Sequence, residues 1–461
     1  METLLLKNIQ TIYTFNNQDQ IHEKADILME DGVIKFIGKE YHPKEGSLPV
    51  QEVDCTGLVA LPGFVNTHHH LYQTLFRGIK EVQEKPLFPW LRGLYQFWKY
   101  LTPEAVYYGA LVGFSELLRT GCTYTADHHY VFPEGQPETL IDTQIQAAKE
   151  IGIRFHATRG SMSLGVDQGG LPPMSVVQKE TKILEDSERL IHAYHDSSRY
   201  AMTQIALAPC SPFSVTTDLM KETAALARAN GVLMHTHLAE TMDEERFCLE
   251  TYGKRPFELM ESVNWIGNDV WFAHGIYLSE DELNRFSGCG IAHCPSSNMK
   301  LNSGICKTSE LYRKGIKLGL AVDGSASNDG SNMMEEVRRM YLLNHLKYGT
   351  QGLTAYESLR VATRGGAQVL GRNDTGYLDV DMAADLILFD LNDIAYAGCH
   401  DPLVSLVCLG NHSYTKMTIV NGKIVSKDGK LTTIDVAEIG KKAHACAVNL
   451  VETARKTFQP V

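Results

Sequence analysis

Two pairs of histidines in this chain of 461 residues have the spacing His-x-His. The first pair is His68 and His70, and the second is His235 and His237. Because residues two apart in an extended strand point to the same face, His68 and His70 can converge on one point while His69 turns away. Two imidazoles at one strand end make half of a site for a divalent metal ion. For this stretch alone, chance clustering of surface histidines is the alternative.

Further acid–base residues stand at the ends of later apolar runs. His237 can join the first pair, and Glu240, three residues further on, can reach the same point as a proton carrier. His274 and Asp323 end two other runs. Three imidazoles and one carboxylate suit Zn²⁺ with an open water position, and such an ion lowers the pKa of water from ~16 to ~7. With a carboxylate to move the proton, the set predicts hydrolytic machinery.

Each half of this set also has a purely structural interpretation. The second histidine pair could be two hydrogen-bonded histidines of a protein core. Asp323 precedes Gly324 and Ser325, and an aspartate before two small residues is common in structural turns. The metal-site interpretation is favoured because the residues occur together.

The strands that must position these residues lie in the middle of the chain. Eight short apolar runs end in polar residues and occupy positions 58–67, 123–128, 153–159, 204–210, 231–237, 270–274, 290–293 and 318–323. Helix-like segments such as 103–120, 186–195 and 217–230 lie between them. Eight strand–helix units predict an α/β fold with a TIM-like (β/α)₈ barrel, with a doubly wound open sheet as the alternative. The barrel is favoured because barrel active sites lie at C-terminal strand ends, and no Gly-rich dinucleotide fingerprint follows a strand.

Both ends of the chain are rich in β-strand patterns. Asp31-Gly32 separates two apolar runs near the start, and Asn421-Gly422 separates two near the end; such dipeptides indicate hairpins. We therefore expect residues 1–57 and 376–461 to build one small β-sandwich domain, with a barrel of residues 58–375 inserted between them. An amphipathic helix is predicted over about 437–459.

Composition narrows the class of protein. The net charge of −12 argues against a general nucleic-acid binder, and no segment is apolar and long enough to cross a membrane. The start of the chain lacks signal-peptide features, and ten cysteines without paired spacing indicate reduced thiols. We expect a cytoplasmic enzyme with a small-molecule substrate and no nucleic-acid or membrane partner. The broad helical faces of a barrel favour a homo-oligomer.

The motifs resemble those of the amidohydrolase superfamily and occur in the order typical of that family. They occupy residues 62–70, 235–240, 273–275 and 322–325. The chain is similar to the one-metal branch, which contains aminohydrolases of purines, pterins, pyrimidines and s-triazines. The resemblance implies one Zn²⁺ per chain, or Fe²⁺, held by the following four residues: His68, His70, His237 and Asp323.

A closer likeness within that branch is to 8-oxoguanine deaminases. It is carried by residues 70–73, 88–91, 154–163, 168–173, 208–214 and 323–329, several of which triazine hydrolases share. Gly275 follows His274 where several 8-oxoguanine deaminases have cysteine. The resemblance implies deamination of a purine-like base, 8-oxoguanine to urate and ammonia first. The alternatives are deamination of guanine, isoxanthopterin or isocytosine, and loss of an amino, alkylamino or chloro substituent from an s-triazine.

The resemblance also implies roles for the acid–base residues. Glu240 would move a proton from the attacking water to a ring nitrogen, His274 would hold that water and polarise the addition, and Asp323 would protonate the departing amine. Gln73 and Trp90 are predicted to contact the base, with a surface position and core packing as their respective alternatives. Four more residues near strand ends are predicted to line the pocket or to support it, as is His235: His128, Arg159, Cys210 and Asn298.

Two competing classes are less consistent with the sequence. A two-metal cyclic-amide hydrolase needs a carboxylated lysine at the end of the fourth barrel strand, and this strand ends in Ala208-Pro209-Cys210. A non-catalytic relative would be expected to lack ligands or the proton carrier, and this chain has all of them. No basic residue neighbours Cys210 in sequence to lower its pKa, so we do not expect a thiolate nucleophile.

Overall fold

The computed structural model describes residues 3–43, 50–286, 288–409 and 414–460. Its strands are β1 (Thr3–Tyr13), β2 (Ile21–Glu30), β3 (Val33–Gly38), β4 (Gln51–Asp54), β5 (Leu58–Pro62), β6 (Phe64–Asn66), β7 (His69–His70), β8 (Cys122–Ala126), β9 (Arg154–Ser161), β10 (Thr203–Pro209), β11 (Leu233–Leu238), β12 (Val270–His274), β13 (Gly290–His293), β14 (Lys317–Leu320), β15 (Asp323–Gly324), β16 (Leu386–Asp390), β17 (Met417–Val420), β18 (Lys423–Lys427) and β19 (Lys430–Leu431).

The α-helices lie mostly in the middle of the chain. They are α1 (Leu87–Trp98), α2 (Pro103–Arg119), α3 (Leu140–Ile151), α4 (Glu180–Tyr194), α5 (Thr217–Asn230), α6 (Met242–Tyr252), α7 (Pro256–Ser262), α8 (Glu280–Asn284), α9 (Pro295–Lys300), α10 (Thr308–Arg313), α11 (Ser325–Asn328), α12 (Met333–Tyr348), α13 (Ala355–Arg360), α14 (Gly366–Val369), α15 (Pro402–Leu409) and α16 (Val436–Arg455). The helices predicted over 103–120, 217–230 and 437–459 correspond to α2, α5 and α16.

The middle of the chain forms a closed barrel, as predicted. Its eight strands follow the order β10-β11-β12-β13-β14-β6-β8-β9 and pair in parallel. Because all of these pairings are parallel, every strand points its C-terminal end to the same side of the barrel. Side chains that follow different strands therefore meet on one face.

Strands from both ends of the chain form the predicted second unit. They build one nine-stranded sheet in the order β19-β18-β17-β16-β5-β1-β2-β3, with β4 paired to β1. Both predicted hairpins are confirmed, since β2 pairs with β3 and β17 with β18 in antiparallel fashion. Asp31-Gly32 and Asn421-Gly422 all have positive φ angles, which is the requirement of a type I′ turn.

One strand prediction is wrong. The run 58–67 was expected to be a single barrel strand, but β5 pairs with β1 and β16 in the terminal sheet, and only β6 belongs to the barrel. Gly63 alone separates the two strands. A Cβ atom on Gly63 would come within 2.0 Å of Thr123 Oγ1, so only glycine allows the chain to pass β8 at this crossing.

A buried ion pair joins the barrel to the terminal sheet. Arg154, the first residue of β9, donates from Nε and Nη2 to Asp385 at 2.8 and 3.0 Å. Both side chains are inaccessible to solvent. Asp385 also accepts from Asn421 N at 2.8 Å and from Thr375 Oγ1 at 3.0 Å, so its carboxylate is fully hydrogen-bonded.

Helix α16 packs against α1, α2 and the 3₁₀ turn Leu71–Phe76. Arg455 Nε donates to Glu81 Oε1 at 2.7 Å. After the helix, Gln459 and Gln96 exchange two hydrogen bonds of 2.8 Å, and the rings of Phe458 and Phe97 lie 5.3 Å apart. The end of the chain is thus fastened to α1.

The cysteines agree with the expectation of reduced thiols. All ten are free, and seven of them are buried. Within the described residues, no helix combines the length and the apolar character needed to span a membrane.

Candidate metal centre and active site

The predicted ligands converge at the C-terminal end of the barrel. His68 and His70 follow β6, His237 lies near the end of β11, and Asp323 begins the two-residue strand β15. Strand β15 pairs in parallel with β7, and Asp323 N donates to His68 O at 3.1 Å. This short pairing places the Asp323 carboxylate next to the first histidine pair.

The four donor atoms have the spacing of a small coordination site. Asp323 Oδ1 lies 3.3 Å from His68 Nε2 and 3.3 Å from His70 Nε2, and His70 Nε2 lies 3.2 Å from His237 Nε2. A tetrahedral ion with bonds of ~2.1 Å needs donors roughly 3.4 Å apart. His68 Nε2 is buried and has no hydrogen-bond partner among the described residues. The residues present therefore fit a divalent metal ion.

Backbone carbonyls set the tautomers of two of these imidazoles. His70 Nδ1 donates to His128 O, and His237 Nδ1 donates to Cys210 O, each at 2.7 Å. A carbonyl can only accept, so the proton stays on Nδ1 and the Nε2 lone pair faces the centre. His68 Nδ1 instead lies 2.7 Å from the Nε2 of His235.

The electrostatic environment favours the protonation states that can bind a metal ion: neutral imidazoles and an ionised carboxylate. Burial lowers the pKa of all three imidazoles, that of His237 to about 3, so they are neutral near pH 7. Burial would raise the pKa of Asp323, but the surrounding imidazoles, His68 first and then His70 and His274, outweigh it and hold that pKa well below its usual range. A carboxylate beside neutral imidazoles is the form that binds a cation.

Glu240 and His274 lie beside the four donors. Glu240 Oε2 lies 3.6 Å from His274 Nε2, which is 3.9 Å from Asp323 Oδ2. Burial raises the pKa of Glu240 to about 7. Burial would lower the pKa of His274, but Glu240 and Asp323 outweigh it and raise that pKa. The pair can therefore exchange protons near neutral pH.

Left-handed backbone aims two of these side chains. His274 has a φ of 73° and Asp323 a φ of 62°, in a region that residues with a Cβ atom rarely occupy. Such strain persists where the surrounding structure enforces it and is concentrated at functional sites.

A cavity lies over this cluster. All the residues that line it are buried. They are His70, Gln73, Leu87, Trp90, Leu91, Tyr130, Cys210, Phe213, His237, Glu240, His274, Asp323 and Ser327. Aromatic and polar walls of this kind suit a small flat heterocycle.

Three of the predicted substrate-binding residues line this cavity and three do not. Gln73, Trp90 and Cys210 belong to its wall. The expectation for Arg159 is wrong, because its Nε donates to Asp186 at 2.7 Å and its guanidinium lies 4.0 Å from the centre of the Phe132 ring. Burial of both charges in this ion pair leaves no free edge for a substrate.

His128 and Asn298 lie outside the cavity wall, in the supporting positions that were one of the two predicted alternatives. The ring of His128 packs on His237 with 4.8 Å between centroids, and its Nε2 donates to Ala208 O at 2.8 Å. Although its ring nitrogens lie close enough to the other imidazoles to join a metal site, its ring lies outside the cavity wall. Asn298 is held by His274 Nδ1, which donates to its Oδ1 at 2.9 Å. Both act on the site through a histidine.

Sequence reasoning missed five residues of the cavity wall. They are Leu87, Leu91, Tyr130, Phe213 and Ser327. Each lies in a segment that follows a barrel strand, and Leu91, Phe213 and Ser327 also fall within the stretches that carry the likeness to 8-oxoguanine deaminases. His69 turns away from the centre as predicted, and its Nε2 lies 3.0 Å from Ser331 Oγ.

The closed parallel barrel and its cluster of imidazoles and carboxylates define a hydrolase of the metal-dependent barrel class. The chain belongs to the amidohydrolase family, whose sequence profile matches residues 59–425. It is 45% identical over 455 residues to 8-oxoguanine deaminase of Pseudomonas aeruginosa, covering 98% of this chain and 100% of the relative. It is 34% identical to hydroxydechloroatrazine ethylaminohydrolase of Pseudomonas sp. strain ADP, covering 96% and 95%.

A similar solved structure is atrazine chlorohydrolase TrzN from Arthrobacter aurescens TC1 complexed with zinc. It aligns with a TM-score of 0.92 and 31% sequence identity, covering 97% of this chain and 100% of that one. These relatives confirm the resemblance read from the motifs and the barrel fold. The protein is an enzyme of this family, and its relatives act as hydrolases and deaminases.

Proposed function

We propose that the protein deaminates a purine-like heterocycle, with 8-oxoguanine as the first-choice substrate and urate and ammonia as the products. The observation that carries this proposal is 45% identity, over 98% of the chain, to an 8-oxoguanine deaminase. A flat base needs aromatic contacts and hydrogen bonds along its edge. Trp90, Tyr130, Phe213 and Gln73 would supply them from the cavity wall.

The proposed cofactor is one Zn²⁺ per chain, with Fe²⁺ as the alternative, held by His68, His70, His237 and Asp323. When bound, such an ion lowers the pKa of water towards ~7. The donor spacing supports this assignment, as does the zinc in the similar chlorohydrolase structure.

Glu240 is the proposed proton carrier. Its buried carboxyl, with a pKa raised to about 7, is matched to taking a proton from water and giving it to a ring nitrogen. It shares the cavity wall with His274 and Asp323. The addition of water to the carbon that bears the amino group then needs no proton from bulk solvent.

His274 and Asp323 would complete the reaction. His274, held through Nδ1 by Asn298, orients the attacking water and polarises the addition. Asp323 takes the proton from the hydroxyl group of the tetrahedral adduct and passes it to the amino group as the adduct collapses, the carbon–nitrogen bond breaks and ammonia leaves. One water is consumed, and the ring carbon gains a carbonyl oxygen.

The test is ammonia release from a panel of bases by the zinc-loaded protein. The panel contains 8-oxoguanine, guanine, isoxanthopterin, isocytosine and amino-, alkylamino- and chloro-substituted s-triazines, with chloride or alkylamine release measured where appropriate. We expect the highest kcat/KM for 8-oxoguanine. No ammonia from any amino-heterocycle would contradict the proposal, and a preference for triazines would favour the second candidate, which the relationship to TrzN supports. Metal analysis should find one ion per chain rather than two.

We further propose that the enzyme acts in the cytoplasm as a homo-oligomer. Ten free cysteines support a reducing compartment. Light scattering of the purified protein tests the assembly, and a monomer at micromolar concentration would contradict it.

A further inference from the structure

A second buried carboxylate, that of Glu244, lies beside Glu240. Glu244 belongs to the first turn of α6, and its side chain is inaccessible to solvent. Its Oε1 accepts from Ala239 N at 2.9 Å, and its Oε2 accepts from Glu240 N at 2.7 Å. Among the described residues it forms no ion pair. This buried carboxyl group is thus bonded to two backbone N–H groups.

These N–H groups belong to the turn that carries Glu240. Strand β11 ends at Leu238, and Ala239 has a φ of 51°, a left-handed conformation that is unfavourable for a residue with a Cβ atom. The carbonyl of Ala239 accepts from Ile276 N at 2.9 Å and Tyr277 N at 3.0 Å. The backbone N–H groups of the turn, those of Ala239 and Glu240, donate to the Glu244 carboxylate.

The site needs a carboxylate rather than another polar side chain. Two N–H groups point at one side-chain end, so that end must present two acceptors and no donor. Only Asp and Glu do so, and a buried N–H group left without a partner is destabilising. The N-terminal turn of α6, capped by Thr241 Oγ1 at 3.3 Å from Glu244 N, also favours a negative charge there.

We propose that Glu244 is a positioning residue that fixes the backbone of Glu240 so that the proton-carrying carboxyl points into the cavity. This inference rests on the function proposed above. Glu240 follows the left-handed residue Ala239, and its backbone N–H donates to Glu244. A displacement of ~1 Å in a reacting group can cost about 10²-fold in rate. Loss of the Glu244 hydrogen bonds is therefore expected to lower the turnover rate.

Glu244→Gln tests the proposal with little change in volume. The amide keeps one acceptor but turns an NH₂ group towards a backbone N–H, so one of the two hydrogen bonds is lost and the turn shifts. We expect kcat to fall about 10- to 100-fold, while KM changes by less than about threefold and the zinc content stays at the parent value. Glu250→Gln, the same change at an exposed site of α6, should leave all three unchanged.

A double-mutant cycle separates positioning from a general structural role. If Glu244 acts through Glu240, adding Glu244→Gln to Glu240→Gln should cost less than threefold more in single-turnover assays with excess enzyme. An equal loss in both backgrounds would overturn the proposal, as would parent-level kcat in Glu244→Gln. Should that variant fail to fold, Glu244→Asp retains two acceptors on a shorter arm and should lose activity to an intermediate degree. An inactive parent would contradict the proposed function, whereas an active parent with an unaffected Glu244→Gln variant would contradict only this inference.

Discussion

At the scale of single residues, His68 is the proposed metal ligand whose ring is held by the longest chain of hydrogen bonds. Its Nδ1 lies 2.7 Å from His235 Nε2, and His235 Nδ1 lies 2.9 Å from Trp271 O. Because the carbonyl accepts, His235 carries its proton on Nδ1 and can only accept from His68. The chain of three groups leaves the Nε2 lone pair of His68 free for a cation.

Replacing His235 should weaken metal binding. His235→Phe keeps the ring that stacks on Trp271 at 4.4 Å but removes the acceptor for His68. We expect the affinity for Zn²⁺ to fall about 10- to 100-fold, measured by competition with a chromophoric chelator. His345→Phe, on the exposed side of α12, is the matched control, and an unchanged affinity in His235→Phe would exclude this supporting role.

Glu240→Gln should separate metal binding from turnover. The amide cannot take up a proton, so kcat should fall roughly 10²- to 10⁴-fold, with one zinc per chain retained. Metal analysis and ammonia release measure the two effects. A nearly active variant would show that another group carries the proton.

The site residues that the sequence predicts are those whose position depends on local spacing. His68, His70 and Glu240 follow from strand periodicity and from a short step after a strand end. His235 and Asn298 were only predicted to lie near the pocket, because their bonds to His68 and His274 join different strands and no local pattern encodes such contacts.

At the scale of elements, α1 forms one wall of the cavity and α16 fastens α1 in place. Leu87, Trp90 and Leu91 of α1 line the cavity. The other side of the helix carries Phe97, which packs on Phe458. The residues that follow α16 therefore support α1 on the side away from the cavity.

Removing the Phe458 ring should loosen this wall. We expect Phe458→Ala to raise KM about 3- to 10-fold with a smaller change in kcat, because a wall that contacts the base throughout the reaction contributes uniform binding. Val448→Ala, a truncation at a largely exposed position of α16, should leave KM unchanged. Steady-state kinetics decides between them, and an unchanged KM in Phe458→Ala would show that α1 holds its place alone.

Element types could largely be predicted, whereas sheet membership could not. Apolar runs between helical patterns predict the barrel strands, and Asp-Gly and Asn-Gly predict the hairpins. The change of sheet at Gly63 was missed because both β5 and β6 are buried and apolar. Their partners are chosen by strands far away in sequence, and periodicity carries no information on those partners.

At the scale of the whole molecule, the Arg154–Asp385 pair joins the barrel to the terminal sheet. Arg154→Met would leave a buried carboxylate without its counter-charge, so we expect a loss of about 3–5 kcal/mol in the free energy of unfolding. Adding Asp385→Asn should recover part of this loss, because the amide is neutral and its oxygen can still accept from Asn421 N. Urea unfolding of the parent, both single variants and the double variant tests this, and strictly additive losses would contradict the coupling.

A second pair at this junction should contribute to acid sensitivity. Burial raises the pKa of Asp374, but hydrogen bonds from Arg372 outweigh it and lower that pKa below its unfolded value. The stabilisation is therefore fully present above about pH 4 and is lost as the pH falls through the lower folded value. The difference in unfolding free energy between the parent and Asp374→Asn should stay constant from pH 5 to 8 and shrink below pH 4, as measured by urea unfolding at each pH.

The topology of the terminal sheet also sets the order in which the molecule can be completed. Strand β5 pairs with β16, Pro62 opposite Leu386, so the two partners are about 320 residues apart. At a synthesis rate of ~5–20 residues per second, β5 waits roughly 15–65 s on the ribosome for its neighbour. During that interval the edge of β5 is open. The last barrel strand, β14, ends about 65 residues before β16, so the barrel can close before β16 is made. A nascent chain is therefore expected to complete its barrel before its terminal sheet and to depend on chaperones to protect the waiting strand.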